Sequence, residues 1–332
     1  MPYYQAMTDI WSRLKAIGYD RDFVVSTILP EWWDDGLAET PSNRALAEMT
    51  IARQLGIPLL HLQNPTKKLR RPEAGGARLR KWSTAAREEV GPAVQISSRL
   101  AELIGLGMRE APAFQGLRDA LAIRDAVFAT SPTALVNLET LLNYCWQRGI
   151  PVAHHSRFPK LGKKIIGLAA IFANRPVIIL ASRRDALPWL AFDLAHELGH
   201  IALKHASAGK YKIDLETPLE AKEENEANDF AGRLLFGVEN FHISSERWLK
   251  APVLAKECQR LQQTNRMDAG LLIVNYARTM GQWAAAEAAL KIVKQNTGAQ
   301  NLIRSYFAKN FQRDGLPDSS LNFIAATTGV GD

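Results

Sequence analysis

Residues 190–205, LAFDLAHELGHIALKH, constrain this chain of 332 residues more than any other segment. Their apolar side chains recur every three or four residues, which predicts a helix from Leu187 to Lys204 with one buried face. His196 and His200 are four residues apart, so both rings lie on the same side of that helix. Any fold of this chain therefore has to accommodate two neighbouring imidazoles on a largely apolar helix.

The HELGH sequence in this helix predicts a metal site. Two histidines at this spacing can direct their nitrogens at one Zn²⁺, at about 2.0–2.1 Å each. Glu197 would lie beside the ion rather than on it, where it could take a proton from water. We therefore predict His196 and His200 as ligands and Glu197 as the catalytic residue. In the alternative interpretation, the two histidines only form hydrogen bonds within a packed helix.

A catalytic zinc site needs a third protein ligand. The next predicted helix, from about residue 219 to 235, has an acidic start, and its candidate ligands are Glu216, Glu220, Glu223, Glu224 and Glu226. Glu224 is favoured because it shares a helix face with small and apolar residues, whereas Glu226 points about 200° away. Asn228, one turn after Glu224, and Asp193 are the candidates for residues that orient the metal ligands through hydrogen bonds.

The motifs around this site resemble the ImmA/IrrE family of metallopeptidases. A Leu-Ala pair precedes HELGH, and ENEANDFAGRLL follows at residues 224–235. The PVIILAS and GIPV segments also match, and the resemblance covers about residues 134–240. The chain departs from the family at Asp193, where threonine is frequent, and at Phe236-Gly237, where a Met-Pro pair is frequent.

This resemblance implies a zinc-dependent, gluzincin-like endopeptidase. It implies His196, His200 and Glu224 as zinc ligands and Glu197 as the catalytic glutamate. Several members cleave a helix-turn-helix repressor and so release genes in the stress response or in mobile elements. The implied partner is therefore a protein substrate, with such a repressor as the candidate. Mn²⁺ or another divalent ion can replace Zn²⁺ in a site of this composition.

The remaining pattern predicts an α+β fold that is mostly helical, with a zincin-like core. Three short strands are expected at IPVAHH, KIIGLAAIFA and PVIILAS, with helical segments on both sides. We predict an N-terminal helical module at 1–65, with a faint helix-turn-helix pattern, and a basic linker at 66–80. A metallopeptidase domain at 81–244 and a mainly helical accessory region at 245–332 follow.

The formal net charge of +7 raises nucleic acid as a second partner. The candidate contacts are Lys67, Lys68, Arg70 and Arg71, in a stretch rich in proline, glycine and basic residues. A solvated linker is the plainer interpretation. The alternative function is a DNA-binding regulator, or a toxin–antitoxin or defence component, that uses a peptidase-like fold as a sensor. Salt-sensitive DNA binding that is lost on neutralising these four residues would favour the regulator.

Other features exclude further classes of protein. Cys145 and Cys258 form no CxxC pair, which argues against a disulfide scaffold or a cysteine zinc site. The first residues lack the basic and then apolar order of a signal peptide. The most apolar stretch is interrupted by Asn174, Arg175 and Pro176, so it is unsuited to spanning a bilayer. We expect a soluble, cytoplasmic protein without a membrane partner.

Overall fold

The computed structural model describes residues 2–72, 84–108, 113–117, 119–131, 133–160, 165–172, 174–207, 211–214, 221–313 and 315–331. Residues 73–80 of the predicted basic linker lie outside these ranges, as do two of the candidate ligands, Glu216 and Glu220. Helices dominate the described residues and surround a small sheet. The predicted α+β class is therefore confirmed.

The first helices begin and end at recognisable sequence signals. They are α1 (Pro2–Ala16), α2 (Arg21–Thr27), a short 3₁₀ helix (Asp35–Glu39), α3 (Pro41–Leu55), α4 (Leu59–Gln63) and α5 (Thr84–Gly107). The side chain of Asp20 accepts a hydrogen bond from the Phe23 N–H and so caps α2. Pro41 lies in the first turn of α3, and Gly56 ends that helix in the left-handed conformation, with φ of 61°.

The middle of the chain contains the sheet and the two helices that bear the predicted metal ligands. Its elements are α6 (Ala120–Thr130), α7 (Leu138–Gln147), β1 (Val152–His154), β2 (Gly167–Phe172), β3 (Arg175–Leu180), α8 (Leu187–Ala202), β4 (Lys212–Asp214) and α9 (Ala221–Phe236). The strand order is β1-β3-β2-β4. β1 is parallel to β3, whereas β2 pairs antiparallel with both β3 and β4.

The fourth strand corrects the prediction of a three-stranded sheet. β1, β2 and β3 lie at the three predicted segments, but β4 has only three residues in a polar part of the sequence. A stretch this short is below the length at which an alternating pattern can be recognised. Its pairing with β2 defines it as a strand, and that pairing depends on the tertiary structure.

The last part of the chain is helical, as predicted. It forms α10 (Ala251–Asn265), α11 (Ala269–Met280), α12 (Trp283–Ile292), α13 (Ala299–Asn310) and α14 (Asp318–Thr328). Within the described ranges, none of the helices combines the length and the apolar composition needed to cross a membrane.

Both faces of the sheet are buried. Ile178 and Leu180 of β3 belong to one apolar cluster, and the alternating residues Val177 and Ile179 belong to another. The first cluster also contains α8 and most of α6–α13, while the second contains α5, α14 and the N-terminal helices. α8 is therefore held between the sheet and the helices that follow it.

The predicted division of the chain into an N-terminal module, a basic linker, a metallopeptidase domain and an accessory region stays a prediction.

Candidate metal centre

Helix α8 places the HELGH side chains in the interior. Leu194 and Leu198 are fully buried and fix the rotation of the helix. His200 has no exposed surface, Glu197 is 1% exposed and His196 is 7% exposed. Burying polar and ionisable groups is costly unless other groups compensate for the lost water. The surroundings of these three side chains therefore determine what the site can do.

Four side chains from three elements meet at one point. His196, His200, Asp214 and Glu224 each offer one ligand atom, and these atoms lie within 4.8 Å of one another. The two histidine Nε2 atoms are 3.0 Å apart. His196 Nε2 lies 3.0 Å from Asp214 Oδ2 and 3.3 Å from Glu224 Oε2. His200 Nε2 lies 3.3 Å from Asp214 Oδ1 and 3.8 Å from Glu224 Oε1.

The outer nitrogen of His196 is held by α9. His196 Nδ1 lies 3.0 Å from Asn228 Oδ1. An amide oxygen only accepts hydrogen bonds, so Nδ1 is the donor. A neutral His196 then directs the lone pair of Nε2 at the cluster, as a metal-binding imidazole requires.

The outer nitrogen of His200 is held through a second histidine. His205 Nε2 lies 3.0 Å from Glu226 Oε2, and His205 Nδ1 lies 2.9 Å from His200 Nδ1. A neutral His205 that donates to the carboxylate through Nε2 accepts at Nδ1, so His200 Nδ1 donates. The lone pair of His200 Nε2 therefore also faces the cluster.

The donor set fits a divalent cation. Ligands at 2.0–2.1 Å around a tetrahedral ion are about 3.3–3.4 Å apart, close to the 3.0–3.8 Å separations here. The buried Asp214 Oδ1 has no hydrogen-bond partner among the described residues. Lys212 Nζ lies 2.6 Å from Glu224 Oε1 and 3.3 Å from Glu223 Oε2, so its positive charge is shared between two carboxylates at the rim of the cluster. The cluster could therefore hold a metal ion.

The ionisable side chains of the cluster shift one another's pKa values. Burial lowers the pKa of His196, but its contacts with Asp214 and Glu224 outweigh burial and raise the pKa to about 10. Burial lowers the pKa of His200. Burial disfavours the charged forms of Asp214 and Glu224, but contacts with His196, joined by His200 at Asp214 and by Lys212 at Glu224, hold both pKa values below the ordinary range. The electrostatics of the site therefore favour positive charge at its centre.

Glu197 lies beside these donors. Its Oε2 atom is buried, with no hydrogen-bond partner in the part of the chain that the structure describes. Burial and the charges of Asp214 and Glu224 raise the pKa of Glu197 well above its ordinary value. Gly167 of β2 leaves room for it, because a Cβ there would lie 1.8 Å from Glu197 Oε1. A carboxyl group with a raised pKa beside a metal site is suited to proton transfer.

The predicted supporting residues differ in what they contact. Asn228 holds His196, as described above. Asp193 has a buried Oδ2 atom and lies near the guanidinium groups of Arg184 and Arg278. Burial raises the pKa of Asp193 to about 6, although the two arginines and His196 oppose that shift. The roles predicted for Asn228, Asp193, Glu224 and the HELGH residues stay predictions.

The predicted nucleic-acid contacts lie in a segment that packs against α1. Lys67, Lys68 and Arg70 are exposed. Arg71 donates a hydrogen bond to the carbonyl of Ile17, just after α1. Nucleic-acid binding by these four basic residues stays a prediction.

Sequence reasoning did not find Asp214 and Lys212, which reach the cluster from β4. Their three-residue strand has no pattern of its own that could have revealed them. It also assigned neither His205 nor Glu226 to the support of His200. A helix projection places Glu226 on a different side of the helix from Glu224, but it cannot show that His205 lies next to Glu226.

Comparison with known proteins identifies this part of the chain. Residues 152–255 match the family model Peptidase_M78, described as the IrrE N-terminal-like domain. The match extends from β1 into α10 and so includes the sheet and both helices of the cluster. It confirms the family resemblance drawn from the HELGH and ENEANDFAGRLL motifs. No curated protein and no solved structure gave a match.

Proposed function

We propose that this chain, which belongs through residues 152–255 to the ImmA/IrrE family of peptidases, is a zinc-dependent endopeptidase that cleaves a regulatory protein. One observation carries the proposal. Two imidazole nitrogens and two carboxylates converge on one buried point, and a further buried glutamate lies beside it. Histidine nitrogen and carboxylate oxygen are common ligands of zinc in catalytic sites.

In the proposed reaction, His196, His200 and Glu224 hold the ion. When bound, the ion supplies Lewis-acid polarisation of the scissile carbonyl and lowers the pKa of water. Glu197 removes a proton from the attacking water at its Oε2 atom, and the water oxygen forms a bond to the carbonyl carbon. The same carboxyl group then delivers the proton to the departing amine nitrogen as the C–N bond breaks. Asn228 and His205 keep the two ligand imidazoles in the tautomer that can bind the ion.

The substrate we propose is a helix-turn-helix repressor in the cytoplasm. Cleavage would release repressed genes in the stress response or in a mobile element. This choice rests on the family resemblance, because a site of given chemistry does not by itself specify which protein it cleaves.

Metal analysis of the purified chain tests the site. We expect about one zinc per wild-type chain, lost in His196→Ala and Glu224→Gln. Glu287→Gln is the matched control, because it neutralises an exposed glutamate on α12. Wild-type protein that stays free of metal after zinc is supplied at neutral pH would overturn the proposal.

Cleavage of a peptide library, read by mass spectrometry, tests the activity. The zinc-loaded wild type should cut internal peptide bonds, and a chelator should stop it. Glu197→Gln should retain zinc and cut about 10²–10⁴-fold more slowly, the range expected for loss of a general base. Undiminished cleavage by a metal-loaded Glu197→Gln protein would rule out the role proposed for Glu197.

A further inference from the structure

Strand β4 contacts every residue proposed to hold the ion. Its Asp214 lies 3.0 Å from His196 Nε2 and 3.3 Å from His200 Nε2. Its Lys212 lies 2.6 Å from Glu224 Oε1. Two residues of this three-residue strand, Lys212 and Asp214, therefore contact the whole ligand set that the family resemblance implies.

The strand occupies the edge of the sheet next to the catalytic glutamate. β4 pairs antiparallel with β2, with Asp214 opposite Gly167 and Lys212 opposite Ala169. Gly167 is the residue that closely approaches Glu197. An exposed sheet edge is a common place for an extended peptide to bind, through backbone hydrogen bonds. In this chain β4 itself pairs with the edge of β2, where an extended peptide could otherwise bind. It directs the carboxylate of Asp214 at the metal-binding point.

The side chain of Asp214 is suited to binding an ion. It is 7% exposed, and its Oδ1 atom lacks a hydrogen-bond partner within the described ranges. That atom lies 3.3 Å from His200 Nε2, the separation expected for two ligands of one tetrahedral ion. A cation that both atoms coordinate would compensate for the burial of this oxygen.

We propose that β4 is a built-in inhibitory strand, in which Asp214 is a fourth protein ligand to the metal. A catalytic zinc site keeps one position open, whereas a site with four protein ligands is closed. Asp214 takes the open position, while Lys212 holds Glu224. A substrate therefore has to displace β4 before it can be cleaved. This inference rests on the proposed metallopeptidase function.

Cobalt substitution in the full-length protein tests the inference without relying on activity. The visible spectrum of bound Co²⁺ reports whether a small chelating ligand, acetohydroxamate, can enter the coordination sphere. We expect acetohydroxamate to leave the wild-type spectrum unchanged and to alter that of Asp214→Ala. Asp229→Ala, which removes an exposed aspartate on α9, is the matched control and should behave as the wild type.

Metal affinity supplies the second measurement. Chelator competition should give a metal dissociation constant for Asp214→Ala that is at least about tenfold above that of the wild type. Even residues that only hydrogen-bond to metal ligands change metal affinity by about 10–100-fold when they are substituted. Asp214→Asn, which preserves the side-chain shape, replaces Asp214→Ala if circular dichroism shows that the latter is unfolded.

Lys212→Met keeps all the proposed ligands but removes the ion pair that holds Glu224 to β4. Peptide cleavage should therefore be faster in this variant than in the wild type.

The outcomes separate the inference from the proposed function. Entry of acetohydroxamate into the wild-type site, or an unchanged affinity in both Asp214 variants, would overturn the inhibitory strand and leave the peptidase proposal standing. Wild-type protein that binds neither Co²⁺ nor Zn²⁺ would overturn both.

Discussion

Gly167→Ala should disable catalysis while leaving the metal in place. The new Cβ would lie 1.8 Å from Glu197 Oε1 and 2.8 Å from Cδ. Real Cβ contacts are not shorter than 3.0 Å, so the carboxylate has to move by at least about 1.2 Å. A displacement of about 1 Å can cost about 10²-fold in rate. We therefore expect kcat/KM to fall about 100-fold, which corresponds to about 2.7 kcal/mol of transition-state stabilisation.

The assay uses a peptide found in the library screen, with metal content measured on the same samples. Urea unfolding should show a loss of about 1–3 kcal/mol in stability, the usual cost of an added methyl group in a packed interior. Gly232→Ala on α9 is the control, because its Cβ would lie 3.9 Å from the Val238 carbonyl oxygen, an ordinary van der Waals distance. That variant should cleave as the wild type does and be more stable by about 0.5–1 kcal/mol.

A folded, metal-loaded Gly167→Ala protein that cleaves at the wild-type rate would refute this prediction. Such a result would mean that the position of Glu197 near β2 is not its catalytic position. Loss of metal together with activity would also contradict it, because the substitution is expected to act on Glu197 and not on the ligands.

Three further predictions concern stability and reactivity. Asp193→Asn should stabilise the fold by about 3 kcal/mol above pH 6, since burial raises the pKa of Asp193 from 3.8 to about 6 and the fold favours the neutral carboxyl. This gain should vanish as the pH falls towards 4, and urea unfolding that gives the same difference at pH 4 and pH 8 would contradict it. Arg124→Met should cost about 2–3 kcal/mol, because Arg124 Nη1 donates to the carbonyls of Leu234 and Leu235 at 3.0 and 2.6 Å; an unchanged free energy of unfolding would count against this. Burial raises the pKa of the thiol of Cys145, and that of Cys258 to about 12, so Ellman's reagent should label neither in the native protein and both in urea; rapid labelling of the native protein would refute the expectation.

The parts of the site that lie within one helix could be predicted from the sequence. Helical periodicity alone puts His196 and His200 on one side of α8, whatever the rest of the chain does. The same reasoning favoured Glu224 over its neighbours, and the structure brings it within 3.3 Å of His196 Nε2. The three longer apolar segments of the sheet could be found because a strand buried among apolar layers gives a strong signal.

The parts that depend on pairing between elements could not be predicted. Asp214 reaches the cluster only because β4 pairs with β2, and these partners are more than forty residues apart in sequence. The link from Glu226 through His205 to His200 depends on how α8 and α9 pack together. Helix periodicity fixes which residues share a face but not what that face meets.

The same pairing explains why β4 can be displaced. It pairs with β2 over three positions, and an extended peptide on that edge would restore the same kind of backbone hydrogen bonds. The backbone contribution to the exchange is therefore close to zero. In addition, β4 gives up the contacts of Asp214 with His196 and His200 and those of Lys212 with Glu223 and Glu224. Both side chains contribute to holding β4 in place, but only Asp214 reaches the nitrogens of His196 and His200, so a substitution at Asp214 alone is expected to open the site.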